Sequence, residues 1–107
     1  MAGYFTKYGD GGVDILPIAD LYKRDVRGLA KELAIPEYII IKSPTAGLWP
    51  GQTDEAEMGI TYNELDDILY RLEHKQMQVA GKEKVARVKR MITRSRHKRH
   101  MPVICKV

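Results

Sequence analysis

Leu65, Ile68, Leu69 and Leu72 recur three and four residues apart behind Thr61 and Glu64. This is the spacing of one buried helical face behind a capping box, and it predicts a helix from Tyr62 to about Glu73. Tyr22, Val26, Leu29, Ala30 and Leu33 repeat the spacing and predict an earlier helix with those side chains in the core, capped by Asp20 or its predecessor. Val85, Val88, Met91 and Ile92 predict a last amphipathic helix, with Lys84, Arg87, Lys89, Arg90 and Arg94 on its wet side. Pro36 suits the first position of a short helix running to about Ile41, although Tyr38–Ile41 is equally β-like by propensity. Residues 74–81, ending in Ala80–Gly81, read as a break. Val13–Ile18, VDILPI, reads as one short buried strand, with Pro17 placing it near a strand end or a sheet edge. A lone strand forms no sheet. Its partners must come from another polypeptide or from upstream sequence, unless the chain is effectively all-helical.

Between the second and third helical patterns, Lys42–Ile60 (KSPTAGLWPGQTDEAEMGI) carries neither a helical nor a strand period. A structureless loop beyond about 12–15 residues is uncommon in a compact domain and usually serves as a lid or binding loop. Leu48–Trp49 and the acidic cluster Asp54, Glu55, Glu57 point to a loop that closes on something; a plain surface excursion is the simpler alternative. Near the start, Gly9-Asp10-Gly11-Gly12 allows positive φ and close backbone approach to a ligand, but a simple turn has the same composition. Lys23 falls in the first turn of its helix, where a cation opposes the helix dipole. A charge so placed is mild evidence for an anionic ligand.

Composition adds three constraints. The 107 residues, 44% hydrophobic, allow a single domain with a modest core. No apolar run approaches the roughly 18–20 residues of a membrane span. The start has no signal-peptide core, so a cytoplasmic location is expected, and a lone cysteine, Cys105, excludes an internal disulfide framework. The net charge of +4 hides a division: residues 1–80 hold 8 Lys/Arg against 13 Asp/Glu, whereas residues 81–107 hold 10 against 1. A basic end of this kind attracts polyanions or the acidic face of a partner.

YFTKYGDGGVDILPIADLYKRDVR, KSPTAGLWPGQTDEAEMGITYNELDDIL and SRHKRHMP, in that order, resemble the carboxyl-terminal part of ammonia-dependent NAD synthetase, within the PP-loop ATP pyrophosphatase group. The resemblance spans nearly the whole chain, with a generic stretch at His74–Lys82. It implies an α/β fold, a doubly wound parallel-sheet domain of which residues 1–107 form an incomplete, mostly helical part with one short strand. It further implies a homodimer that amidates deamido-NAD with ammonia while ATP goes to AMP and pyrophosphate. ATP and Mg are then the co-substrate and ion of the whole enzyme.

Position by position, the resemblance assigns Lys7, Asp14, His97 and Lys98 to deamido-NAD, with the last two reaching into a partner subunit's site. It assigns Lys23 and Thr45 to ATP, and residues around Trp49–Glu57 to a mobile loop that shields the adenylate. It names no catalytic residue here. The family's Ser-Gly-Gly-x-Asp-Ser loop, its metal-binding acids and an arginine for deamido-NAD belong upstream, so the chain is expected to be inactive alone. Gly9–Gly12 is no substitute, because Asp10 would place a negative charge in a phosphate nest. Gly47 stands where many relatives carry an acid.

Two other readings compete. One is a non-catalytic module that completes a separate amino-terminal half. The other is a nucleic-acid binder resting on Arg87–Lys98, which the absence of any Tyr, Trp or Phe after Tyr70 argues against. His74, His97, His100 and Cys105 lack the spacing of a metal site. Glu64 belongs to the capping box, Asp66 and Asp67 read as first-turn charges, and Met58, Met77 and Met91 read as core or interface filler.

Overall fold

The structure, a computed structural model, describes residues 2–76 and 81–106. In order, it forms α1 (Lys23–Glu32), α2 (Glu37–Ile40), α3 (Asp54–Met58), α4 (Tyr62–Glu73), α5 (Lys82–Arg94) and a 3-10 turn at Arg96–Arg99. The core is small and lies between α3, α4 and α5. Met58, Ile60, Leu65, Ile68, Leu69 and Val88 are buried there, with Tyr22, Leu72, Val85, Met91 and Ile92 packed around them. The predicted faces of α4 and α5 therefore meet as their spacing requires. Met58 is core and Met91 borders it, whereas Met77 and part of the 74–81 break lie outside the described residues.

The capping box forms. Glu64 N–H donates to Thr61 Oγ1, and Thr61 N–H donates to Glu64 Oε2, each at 3.3 Å. Glu64 also pairs with Lys84 of α5, so one carboxylate closes the start of α4 and ties it to α5.

Two expectations fail for one physical reason. Among the described residues there is no strand: Val13–Ile18 runs through bends into turns, with Ala19 N–H on Leu16 C=O and Leu21 N–H on Ile18 C=O, both 3.2 Å. A strand needs a neighbour for its ladder, and none is at hand, so Ile15, Leu16 and Ile18 stay exposed. Helix α1 likewise buries no residue fully; Leu29 and Leu33, expected in the core, are exposed. The tail 101–106 is exposed as well, Met101, Val103 and Ile104 included. The radius of gyration of 15.7 Å exceeds the roughly 13 Å of a compact chain this long. In each case the apolar face is present and the layer that would cover it is absent from the described residues.

Helix α1 is held at its start. It begins two residues beyond the expected cap: Tyr22 is the N-cap, and its N–H donates to Asp25 at 3.2 Å. Arg24 N–H donates at 2.9 Å to Asp66 Oδ2 of α4. Asp66 is thus not a solvated first-turn charge on its own helix. It is 3% exposed and caps a different helix. The Arg24 guanidinium lies over the rings of Tyr22 and Tyr70, 5.5 and 5.4 Å from their centroids.

Asp66→Ala leaves the Arg24 N–H without its partner and should cost about 1–3 kcal/mol. Asp66→Asn, which keeps an acceptor oxygen, should cost less; urea unfolding midpoints of the three proteins check the order. The Lys84 ammonium, followed by the Thr61 donors, holds the Glu64 carboxyl below its ordinary value near 4.5. A lowered carboxyl stabilises the fold above its unfolded pKa and loses that contribution as pH falls through the folded one. Thermal melts between about pH 6 and pH 3 should therefore fall more steeply for the native chain than for Glu64→Gln.

Candidate functional site

Four residues of α1 spaced at i, i+3, i+4 and i+7 (Lys23, Val26, Arg27 and Ala30) share one face of the helix. That face forms a wall of a cavity of about 310 Å³. Ile35, Ile39 and Ile40 close its apolar side, and Lys42, Ser43, Pro44 and Thr45 bring the root of the long loop against it. The two positions assigned to ATP, Lys23 and Thr45, thus line one cavity although 22 positions separate them in sequence. The tight turn from α1 into α2 makes this possible. Ala34 takes a left-handed conformation at φ 53°, and Ile35 N–H returns to Ala30 C=O at 2.9 Å. Lys23 Nζ lies 5.3 Å from the ring centroid of Tyr62, at the start of α4. Thr45 Oγ1 accepts from Gly47 N–H at 3.0 Å, which folds the loop back at its root.

The long loop is only partly irregular. Thr53 caps α3 by accepting from Ala56 N–H at 3.2 Å, and Gln52, Met58 and Ile60 are buried. The acidic cluster that suggested closure over a ligand is engaged within the chain. Asp54 accepts from Tyr62 OH at 2.8 Å, Glu55 from Tyr62 N–H at 2.7 Å, and Glu57 from Tyr4 OH and from Gln52 at 3.2 Å. The Glu57 hydrogen bond, with lesser help from burial, pushes the Tyr4 phenol up to about 12. Burial and the Asp54 hydrogen bond raise that of Tyr62.

On the other side of α3, Arg87 donates to Met58 C=O at 3.2 Å. It lies so near Gly59, at φ 64°, that a Cβ there would sit 2.2 Å from its Nη1. Apart from Lys42 and Ser43, what remains exposed and irregular is 45–51, with Leu48 and Trp49 at its tip between Gly47 and Gly51, both at positive φ. Leu48 N–H donates to Gln52 Oε1 at 2.7 Å, so a buried glutamine anchors that segment's far end.

The residues assigned to deamido-NAD fall at the two chain ends. Lys98 Nζ donates to the carbonyls of Gly3 and Phe5, at 3.1 and 2.7 Å, and lies 5.6 Å from the Phe5 ring centroid. It thereby holds the segment leading to Lys7, whose own ammonium lies 5.3 Å from the ring centroid of Tyr8. His97 Nδ1 lies 2.9 Å from Arg94 C=O, exposed. Asp14 sits exposed on the bend after the glycines.

Gly9–Gly12 closes as a turn on itself. Thr6 N–H donates to Asp10 at 3.1 Å, and Gly11 and Gly12 N–H donate to Thr6 and Gly9 carbonyls at 3.0 and 2.9 Å. Arg27 and Lys42 also line the cavity on α1, and sequence reasoning gave neither of them a role. The i, i+4 spacing of Arg27 from Lys23 was the available signal for the first; Lys42 had none, because its placement depends on α2.

Among the described residues, no group of three or more His, Cys, Asp or Glu side chains could hold a metal ion. His74 instead stacks on Tyr70 with ring centroids 4.1 Å apart. No described helix is long and apolar enough to cross a membrane.

A family model described as NAD synthase matches residues 1–102. The chain is 59% identical over its full length to the NH(3)-dependent NAD(+) synthetase of Archaeoglobus fulgidus, covering 42% of that relative. It is 50% identical to the enzyme of the same name from Thermococcus kodakarensis, over 96% of this chain and 44% of the relative. A solved structure of NMN synthetase from Francisella tularensis resembles it with a TM-score of 0.83 and 46% identity, covering 99% of this chain and 42% of that one. The chain thus spans less than half the length of the relatives it matches, and its helices are part of an α/β domain.

Proposed function

The chain belongs to the NAD synthase family, and we propose that it supplies part of the nucleotide sites for ATP-dependent amidation of deamido-NAD by ammonia. The observation that carries this reading is the cavity on α1, where Lys23 and Thr45 meet without an acidic side chain in the lining. A carboxylate resists amines because oxide is a poor leaving group. ATP overcomes this by adenylating the carboxylate and releasing pyrophosphate, after which ammonia displaces AMP. Such a site must neutralise several phosphate charges and keep water from the mixed anhydride.

In this reading Lys23 and Thr45 contact ATP. Lys7, Asp14, His97 and Lys98 serve the dinucleotide, Lys98 from the place its hydrogen bonds to the Gly3 and Phe5 carbonyls give it. The exposed segment 45–51 closes over the substrates, a shorter lid than Trp49–Glu57. The 107 residues contain no Ser-Gly-Gly-x-Asp-Ser loop, so turnover is placed in an assembly that also carries one, acting as a cytoplasmic homodimer. In this reading the ligands of the Mg that accompanies ATP come from outside this chain, as the resemblance implies.

The test is complementation with the remaining part of the Archaeoglobus fulgidus relative. The chain alone should make no NAD, and the complemented assembly should make NAD from deamido-NAD, ATP and ammonia. Lys23→Gln should lower kcat/KM in that assembly about 10- to 100-fold, the effect of losing a charged hydrogen bond. Because one similar structure is an NMN synthetase, nicotinate mononucleotide is the competing substrate. Preference for it would transfer the assignment to the mononucleotide, and turnover indifferent to Lys23 would remove ATP from this cavity.

A further inference from the structure

The cavity on α1 is lined by three cations, Lys23, Arg27 and Lys42, by the hydroxyls of Ser43 and Thr45, and by no carboxylate. Three cations elsewhere pair with acids: Lys84 with Glu64, Arg71 with Asp67 at 2.8 Å, and Arg24 with Asp25 at 3.8 Å. Among the described residues neither Arg27 nor Lys42 has an ion pair or hydrogen bond from its side chain, and Lys23 faces only the Tyr62 ring. Three like charges lining one cavity repel one another, and no acid in the lining offsets them. An arrangement of this kind is stable with an anion of several charges between its walls.

We infer that Arg27 and Lys42 join Lys23 in an oligophosphate cradle, with α1 gripping the chain from one side and the loop root from the other. The inference rests on the ATP reading above and adds two residues to it. Lys23 and Arg27 lie one turn apart on α1 and meet successive phosphate groups. Lys42, entering after α2, closes the opposite wall beside the Ser43 and Thr45 hydroxyls, which donate to phosphate oxygens. The guanidinium offers a planar fork to two oxygens of one phosphate, whereas the two ammoniums act as point charges. About 310 Å³ is at the lower edge of the roughly 300–1,000 Å³ range of ligand clefts. It accommodates the phosphate portion of a nucleotide and leaves the nucleoside outside.

Titration calorimetry of the chain at low salt, with pyrophosphate, ATP and adenosine as probes, tests this. Pyrophosphate and ATP should bind, adenosine should not, and added salt should weaken the binding. Arg27→Gln and Lys42→Gln should each weaken pyrophosphate binding about tenfold, whereas Lys31→Gln, on an exposed position of α1, should leave it unchanged. Lys42 lies outside the helices, so its variant carries the test should circular dichroism show that Arg27→Gln melts α1. If Lys23→Gln weakens binding while Arg27→Gln and Lys42→Gln do not, the cradle is overturned and the ATP reading stands. Failure of the native chain to bind pyrophosphate also overturns the cradle. The functional reading is scored separately, by NAD formation in the complemented assembly.

Discussion

The hydrogen bond from Arg24 N–H to the buried Asp66 carboxylate, with the Tyr22 hydroxyl on Glu73 beside it, ties the start of α1 to α4. Helix α1 contributes no fully buried side chain, so apolar packing alone does not fix its direction. A helix start leaves its first N–H groups without intrahelical partners, and the buried Asp66 carboxylate, next to Leu65 in sequence, satisfies one of them. Burying that carboxylate is costly unless it is well bonded, so the two groups depend on each other. The position of Lys23, one residue before Arg24, and hence the open wall of the cavity, follows from this contact.

The same exchange between one helix and the next recurs around α3. A five-residue helix has too few hydrogen bonds to persist by itself. Here its acids are bonded at the start of α4 and its last carbonyls are reached by Arg87 of α5. Helix α3 is therefore a wedge between two longer helices, and the loop before it inherits a fixed far end. Asp54 N–H on Pro44 C=O, at 3.0 Å, brings that end back to the loop root. The exposed tip, Leu48–Trp49, is thus carried on two anchored stems with a left-handed glycine at each side, a geometry in which the tip can move without disturbing the core.

How much of this was legible in the sequence follows from the range of each interaction. The capping box at Thr61 and Glu64, the span of α4 and the core face of α5 all rest on neighbours within one or two turns, and each is readable from spacing, whereas Pro36 alone points to the helix after it against an equal β propensity. Residues 54–58 escaped detection because five residues hold too little period and their stability comes from Tyr62 and Arg87, neighbours in space alone. The exposed face of α1 and the absent strand at Val13–Ile18 show the converse limit. Their apolar spacing predicts a buried surface, but among the described residues nothing covers it. Lys23 and Thr45 entered by family resemblance, whereas Arg27 and Lys42 required the turn at Ala34 that folds α2 beside α1.

The ends of the chain show how such distant positions become one unit. Ser95, 6% exposed, leaves room for Gly3 only because Gly3 has no side chain; a Cβ there would sit 2.1 Å from the Ser95 Cβ. Arg99 donates to the Ser95 hydroxyl at 2.7 Å and to Ile92 C=O at 2.9 Å, while Lys98 takes the Gly3 and Phe5 carbonyls. The basic turn after α5 thus uses part of its charge to satisfy backbone acceptors of the first residues. An ammonium donating two hydrogen bonds to carbonyls keeps its full positive charge, because carbonyls are neutral, so its field still acts on nearby anions. A structural role for Lys98 and an electrostatic role toward an anionic dinucleotide are therefore compatible, with the first fixing the place from which the second acts.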